Sequence, residues 1–182
     1  MTEAIIYRKA VLSDLRPIAA MERRYFGRHA FGPGMLLYLL IHAGQGFIVA
    51  EVDGKIAGYI VVRRESMRRG HAELPTFAVR EDMRDQGIGS GLLTRAIDYL
   101  GQSRVRWIEL QVSVQNPRAR KLYERFGFAV KRTLPNYYGG GEDGLLMARE
   151  LEEAPSAPGD AEAPGRPRRT RGTQRTGGAS KE

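Results

Sequence analysis

Residues 76–100 read TFAVREDMRDQGIGSGLLTRAIDYL. An extended apolar run stops at Val79, a charged turn follows, and an apolar helical stripe begins, carried by Leu92, Leu93, Ala96, Ile97 and Leu100. Between turn and stripe stand three glycines at alternate positions, Gly87, Gly89 and Gly91. Glycine costs about 1 kcal/mol against alanine in a helix interior, so a helix that opens on three of them answers to some other requirement. The first N–H groups of a helix have no intrahelical partner and lie at the positive end of its dipole. With no Cβ at positions 87 and 89, an anion can reach those groups, and a phosphate or pyrophosphate suits them best. Tight packing or a left-handed turn would explain the same spacing. Other phosphate loops fit poorly: there is no G-x-x-x-x-G-K-[ST], and GIGSGL lacks the third glycine of G-x-G-x-x-G.

A strand feeding a helix through such a turn calls for a sheet with helices on its faces. The rest of the chain supplies both. AIIYR reads as a first strand, and Ser13 as the N-cap of DLRPIAAMERRYF, with Pro17 in its opening turn. GRHAFGPG is a loop, and MLLYLLIHA a short apolar helix. GFIVAEV and KIAGYIVVRRE flank Asp53-Gly54, the dipeptide of type I′ hairpins. HAELPTFAV is a strand in which Pro75 demands a bulge or a missing ladder bond. VRWIELQVSV is the next strand, and Asn116-Pro117 read as N-cap and first residue of a helix that ends at Gly127. FAVKRTL and EDGLLMARELE close the order β α α β β β α β α β β, a mixed α/β domain around one sheet of six or seven strands with four flanking helices.

From Ala154 the composition changes. Residues 154–182 contain no Val, Ile, Leu, Met, Phe, Tyr or Trp, so they cannot offset their ordering entropy by apolar burial and are expected to be disordered. Of the chain's net charge of +8, this tail carries +3 and residues 1–153 carry +5, a balance that favours phosphate-rich ligands or nucleic acid. There is no cysteine, which excludes disulfides, thiolate metal sites and a cysteine nucleophile. No membrane span and no secretory signal are expected, and a cytoplasmic location fits all of these. The histidines, His29, His42 and His71, have no metal-ligand spacing.

Arg84-Asp85-Gln86-Gly87-Ile88-Gly89 resembles the R/Q-x-x-G-x-G/A signature of the GNAT acyltransferases, which in that superfamily binds the pyrophosphate of acetyl-CoA. Residues 116–128, NPRARKLYERFGF, are similar to the family's N-x-x-A-x-x-L-Y-x-x-x-G-F segment. The resemblance spans about residues 4–152, so the domain is placed at 1–153. Within the superfamily, the ending PNYYGGGEDGLLMARELE looks like the RimI-type protein N-terminal (ribosomal-protein alanine) acetyltransferases.

The resemblance implies the GNAT fold, a sheet splayed between HAELPTFAV and VRWIELQVSV, and acetyl-CoA as the acetyl donor with no metal. Main-chain groups of Phe77, Ala78 and Val79 would pair with the pantetheine arm, and the Val79 N–H would face the thioester oxygen. Arg84, Asp85, Gln86, Gly87, Ile88, Gly89 and Ser90 would hold the pyrophosphate. Glu81 departs from the proline common in relatives. Tyr123 is the implied general acid, although its place on an apolar helix stripe also suits a core tyrosine. Asn116 would cap its helix and touch the pantetheine arm.

The general base stays open. The position of the RimI-type glutamate, five residues before the asparagine, is Gln111, which cannot take a proton. Glu109 lies two residues away on the same strand face, and Glu73 eleven residues before Arg84, resembling the base of histone-type enzymes. Strand alternation would put Glu73, the favoured choice, on the side of Pro75 and Phe77. Tyr137 and Tyr138 would line the peptide entrance, opposite the RRYFGRHAFGPG loop.

The implied activity is direct acetyl transfer from acetyl-CoA to a protein N-terminus, with acetyl-CoA and peptide N-termini as partners and no membrane. One rival is acetylation of lysine side chains or a small amine on the same fold. A rival of another class is a ribosome- or RNA-associated module anchored by the basic tail.

Overall fold

The computed structural model describes residues 4–65 and 70–151. The tail expected to be disordered lies outside the described residues. The order is β1 (Ile6–Lys9), α1 (Leu15–Phe26), α2 (Pro33–His42), β2 (Phe47–Val52), β3 (Lys55–Arg64), β4 (His71–Val79), α3 (Ile88–Gly101), β5 (Trp107–Ser113), α4 (Pro117–Arg125), β6 (Ala129–Gly139) and β7 (Glu142–Glu150). This is the alternation read from the sequence. The strands form one seven-stranded sheet in the order β1-β2-β3-β4-β5-β7-β6. Every pair is antiparallel except β4 with β5.

The sheet divides the core in two. Val62, Leu74, Ile108, Leu110 and Met147 face α3 and α4, packed with Leu92, Leu93, Leu100 and Tyr123. Phe47, Val49, Tyr59 and Val61 face α1 and α2, packed with Ile18, Leu36 and Leu39. At the β2–β3 hairpin, Asp53 (φ 49°) and Gly54 (φ 70°) both adopt positive φ, as a type I′ turn requires.

Ser13 is not the cap of α1. A 3-10 turn, Leu12–Asp14, precedes the helix, and no side chain caps its first N–H groups. The adjacent residue does the local work: the Asp14 carboxylate accepts from the Val11 N–H at 2.8 Å and from Arg8 at 2.7 and 2.9 Å. Arg8 also binds Glu51 at 2.8 Å, so one guanidinium ties β1, the turn and β2 together.

Two irregularities open the sheet. The β3–β4 register slips between Val61 (opposite Thr76) and Arg63 (opposite Glu73), a bulge at Leu74 and Pro75. Parallel pairing of β4 with β5 covers only His71–Glu73 against Trp107–Glu109, and then ends. Pro75 has no N–H to continue that ladder. The strands separate beyond it.

Candidate active site

A cleft of about 1200 Å³ fills the gap between the C-terminal halves of β4 and β5. Its β4 wall is an unpaired strand edge. The Arg80 N–H donates to Ala57 O at 2.8 Å, toward β3. Main-chain groups of successive strand residues point to opposite edges, so the N–H and C=O groups of Phe77 and Val79 point into the cleft. Ala78 bonds toward β3 and lines the same wall.

At one end lies the glycine turn. Gly87 has φ 80°, in the left-handed region, and accepts the Gly91 N–H at 2.9 Å as the N-cap of α3. The first-turn N–H groups of α3, on Ile88, Gly89 and Ser90, therefore have no intrahelical acceptor, and these residues line the cleft. A Cβ on Gly89 would lie 3.4 Å from Phe77 and 3.5 Å from Leu122, inside the space between turn and wall. Arg84, Asp85, Arg118 and Lys121 line the same end, and Arg118 reaches Asp85 at 2.8 Å. Gln86 does not line it; its amide turns back toward Asp82 O at 3.5 Å. Gly91 faces the other way, onto Tyr7.

In the middle stands Tyr123, 6% exposed, with the rings of Phe77 and Phe128 centred 6.3 and 5.8 Å away. Burial, and then the neighbouring Tyr138, push its hydroxyl well above the usual tyrosine range, so it stays protonated at neutral pH. The helix carrying it starts where Asn116 Oδ1 accepts the Ala119 N–H at 3.0 Å, and Asn116 itself lines the cleft.

At the other end, Arg28 and His29 face the β6–β7 hairpin. Arg28 donates to the Tyr138 carbonyl at 2.6 Å, and the His29 ring meets Tyr138 edge-on at 5.5 Å. Of the two tyrosines, Tyr138 lines the cleft. Tyr137 points outward, is 49% exposed and packs against Gly144. The period of two along β6 separates them.

Neither glutamate singled out in the sequence lines this cleft. The bulge at Leu74 and Pro75 reverses the alternation: Ala72 and Leu74 pack toward α3, and so do Phe77 and Val79, three and five residues after Leu74. Glu73 therefore lies on the opposite face from Phe77, not the same one, and its carboxylate is held by Arg63 at 2.5 Å. Glu109 sits beside it in the paired part of the sheet, 3.9 Å from His71 Nδ1.

Other polar residues do line the cleft, among them Gln111, Glu142 and Glu22. Gln111 lies on β5; Glu142 opens β7 and accepts the Ser113 hydroxyl; Glu22 is on α1, 1% exposed. The Glu22 carboxylate accepts from Phe31 N at 2.9 Å, Tyr59 Oη at 2.7 Å and Thr76 Oγ1 at 2.5 Å, fixing the loop before α2 to the sheet. A glutamate four residues after Ile18, on the buried stripe of α1, was the signal for it. Glu142 had no such local signal, because the register of β5 with β7 brings it to Ser113. Among the described residues no group of three or more His, Asp or Glu could hold a metal ion.

The acetyltransferase (GNAT) family matches residues 13–128. An N-alpha-acetyltransferase of Sulfolobus acidocaldarius is 31% identical over 156 residues, covering 79% of this chain and 91% of that protein. The crystal structure of Ard1 from Thermoplasma volcanium matches with a TM-score of 0.76 and 26% identity, over 82% of this chain and 99% of that one. That of the ribosomal-protein-S18-alanine N-acetyltransferase from Escherichia coli matches with a TM-score of 0.72 and 25% identity, over 84% and 97%.

Proposed function

The chain belongs to the acetyltransferase (GNAT) family, and from that premise we propose that it moves the acetyl group of acetyl-CoA to the α-amino group of a protein N-terminus. The observation that carries the reading is the order of groups along one cleft. Bare backbone amides and cationic side chains stand at one end, a buried tyrosine in the middle, and Tyr138 under the Arg28 contact at the other. The relatives named for N-alpha and S18-alanine acetylation support the choice of acceptor.

Each part has a task in this reaction. The amides of Ile88, Gly89 and Ser90 hold the pyrophosphate, with Arg84, Arg118 and Lys121 adding positive charge. Phe77 and Val79 offer their free edge to the pantetheine arm as to an added strand, and the Val79 N–H faces the thioester oxygen, where negative charge grows as the amine attacks. Tyr123, still protonated at neutral pH, gives its proton to the departing sulfur. Tyr138 and the loop carrying Arg28 and His29 take the first residues of the peptide.

The test is acetyl-CoA turnover on short peptides varied in their first two residues. Transfer to free N-termini is expected, and Tyr138→Ala should raise the peptide KM about tenfold or more while leaving the acetyl-CoA KM within twofold. Turnover only on lysine side chains or polyamines would sink the proposal.

A further inference from the structure

We infer that Glu142 is the carboxylate that takes the proton from the attacking amine; the inference rests on the acetyl-transfer reading above. Gln111 cannot serve, and among the described residues four carboxylates line the cleft: Glu22, Glu81, Asp85 and Glu142. Three of them are engaged elsewhere. Glu22 accepts three hydrogen bonds in the buried wall, holding the loop before α2 to the sheet. Glu81 is bound to Arg24 at 2.8 Å on the outer rim, and Asp85 to Arg118 at 2.8 Å at the phosphate end.

Glu142 stands at the acceptor end. Ser113 pairs with Gly144 across β5 and β7, and residues two apart share a face, so Gln111, Ser113 and Glu142 lie on one side of the sheet. Its Oε1 accepts the Ser113 hydroxyl, which orients the carboxylate and leaves Oε2 for a proton. Other titratable groups that line the cleft are Tyr138 from β6 and Tyr123 from α4, with Arg28 and His29 of the opposite loop against Tyr138. Lys121 and Arg125 line the cleft from α4. The Tyr138 hydroxyl is pushed up to about 12 by burial and then by Tyr137 and Glu142, and Tyr138 in turn raises Tyr123.

The step balances without another reactant. The peptide ammonium passes one proton to Glu142, and the freed lone pair forms the C–N bond at the thioester carbon. The C–S electron pair leaves on sulfur, which takes the Tyr123 proton. Tyr123 recovers a proton from the amide nitrogen, and Glu142 releases its own to water. The sum is ammonium and thioester giving amide, thiol and one proton.

Glu142→Gln tests this cleanly, because glutamine keeps an oxygen to accept the Ser113 hydroxyl. The expected result is a kcat at pH 7 about 100-fold below wild type with acetyl-CoA affinity, measured by calorimetry, unchanged. The variant's rate should climb about tenfold per pH unit toward the amine pKa near 8, where the substrate arrives already neutral. Glu142→Asp should recover part of the loss. A Glu142→Gln kcat within threefold of wild type, or a loss with the wild-type pH profile, would overturn the assignment. If the wild-type enzyme acetylates no peptide N-terminus, the acetyl-transfer reading itself fails and takes this inference with it; the two failures are told apart by the wild-type assay alone.

Discussion

The Tyr7 hydroxyl occupies the volume that a side chain on Gly91 would need: a Cβ at Gly91 would stand 2.0 Å from Tyr7 Oη and 2.4 Å from Cζ. The ring also carries the Arg95 guanidinium 3.7 Å from its centroid, a contact that moving it aside would disturb. The third glycine of the turn is therefore a packing residue, set apart from the two that border the cleft. Gly91→Ala should cost about 1–3 kcal/mol in urea unfolding through overpacking. Most of that cost should vanish when Tyr7 is also alanine, a coupling that a double-mutant cycle reads directly. Additive losses would mean the contact does not matter.

The other two glycines should separate stability from binding. Gly87, at φ 80°, has nothing within 4 Å of a new Cβ, so Gly87→Ala pays only backbone strain, about 1–2 kcal/mol. Gly89 is helical, and its Cβ would make ordinary contacts at 3.4–3.7 Å with Phe77, Leu122 and Val79. Gly89→Ala should leave the melting temperature equal or higher, since alanine is the better helix former. Calorimetry should nevertheless show acetyl-CoA affinity lowered about tenfold or more, because the methyl narrows the approach to the amides.

Tyr123→Phe removes the proposed acid and nothing else from a well-packed site. A kcat lower by about 10²–10³ with a near-normal peptide KM is expected. Burial and Tyr138 raise the hydroxyl above its usual value near 10, so in the wild type it keeps its proton to at least that pH. A falling limb of kcat between pH 8 and 9 that disappears in Tyr123→Phe would contradict the assignment.

Acid stability should depend on Asp14. Burial works to raise its pKa, but the Arg8 hydrogen bonds and the Val11 N–H together outweigh it, so the folded value is lowered. A lowered folded pKa stabilises the fold above the unfolded value of about 3.9, and that contribution is lost as pH falls through the folded value below it. Asp14→Asn should cost about 1.5–3 kcal/mol at pH 7. Below pH 4 the gap to wild type should shrink, as urea midpoints across pH 3–7 will report.

Much of the fold was legible because its signals are local. Asp53-Gly54 specifies its turn by dihedral preference, Asn116-Pro117 specifies a helix start by one hydrogen bond, and Pro75 announced the bulge by lacking a donor. Ser13 was no guide because the chain enters α1 through a 3-10 turn held by Arg8, supplied by β1, on the Asp14 carboxylate, and no side chain caps the helix.

The sequence by itself determined the order of eleven elements, the strand–turn–helix unit and the glycines that leave backbone amides bare. Those follow from periodicity, propensity and missing Cβ atoms, which act within a few residues. Only the tertiary structure decided which carboxylates reach the cleft. A single bulge at Pro75 shifts a pattern of period two by one residue, and that reversal carries Glu73 to the face opposite Phe77. The register between β5 and β7, set by packing over the whole length of both strands, brings Glu142 to Ser113 across nearly thirty residues of chain. Strand register is a long-range property, and the face a side chain occupies changes sign with each residue of slip.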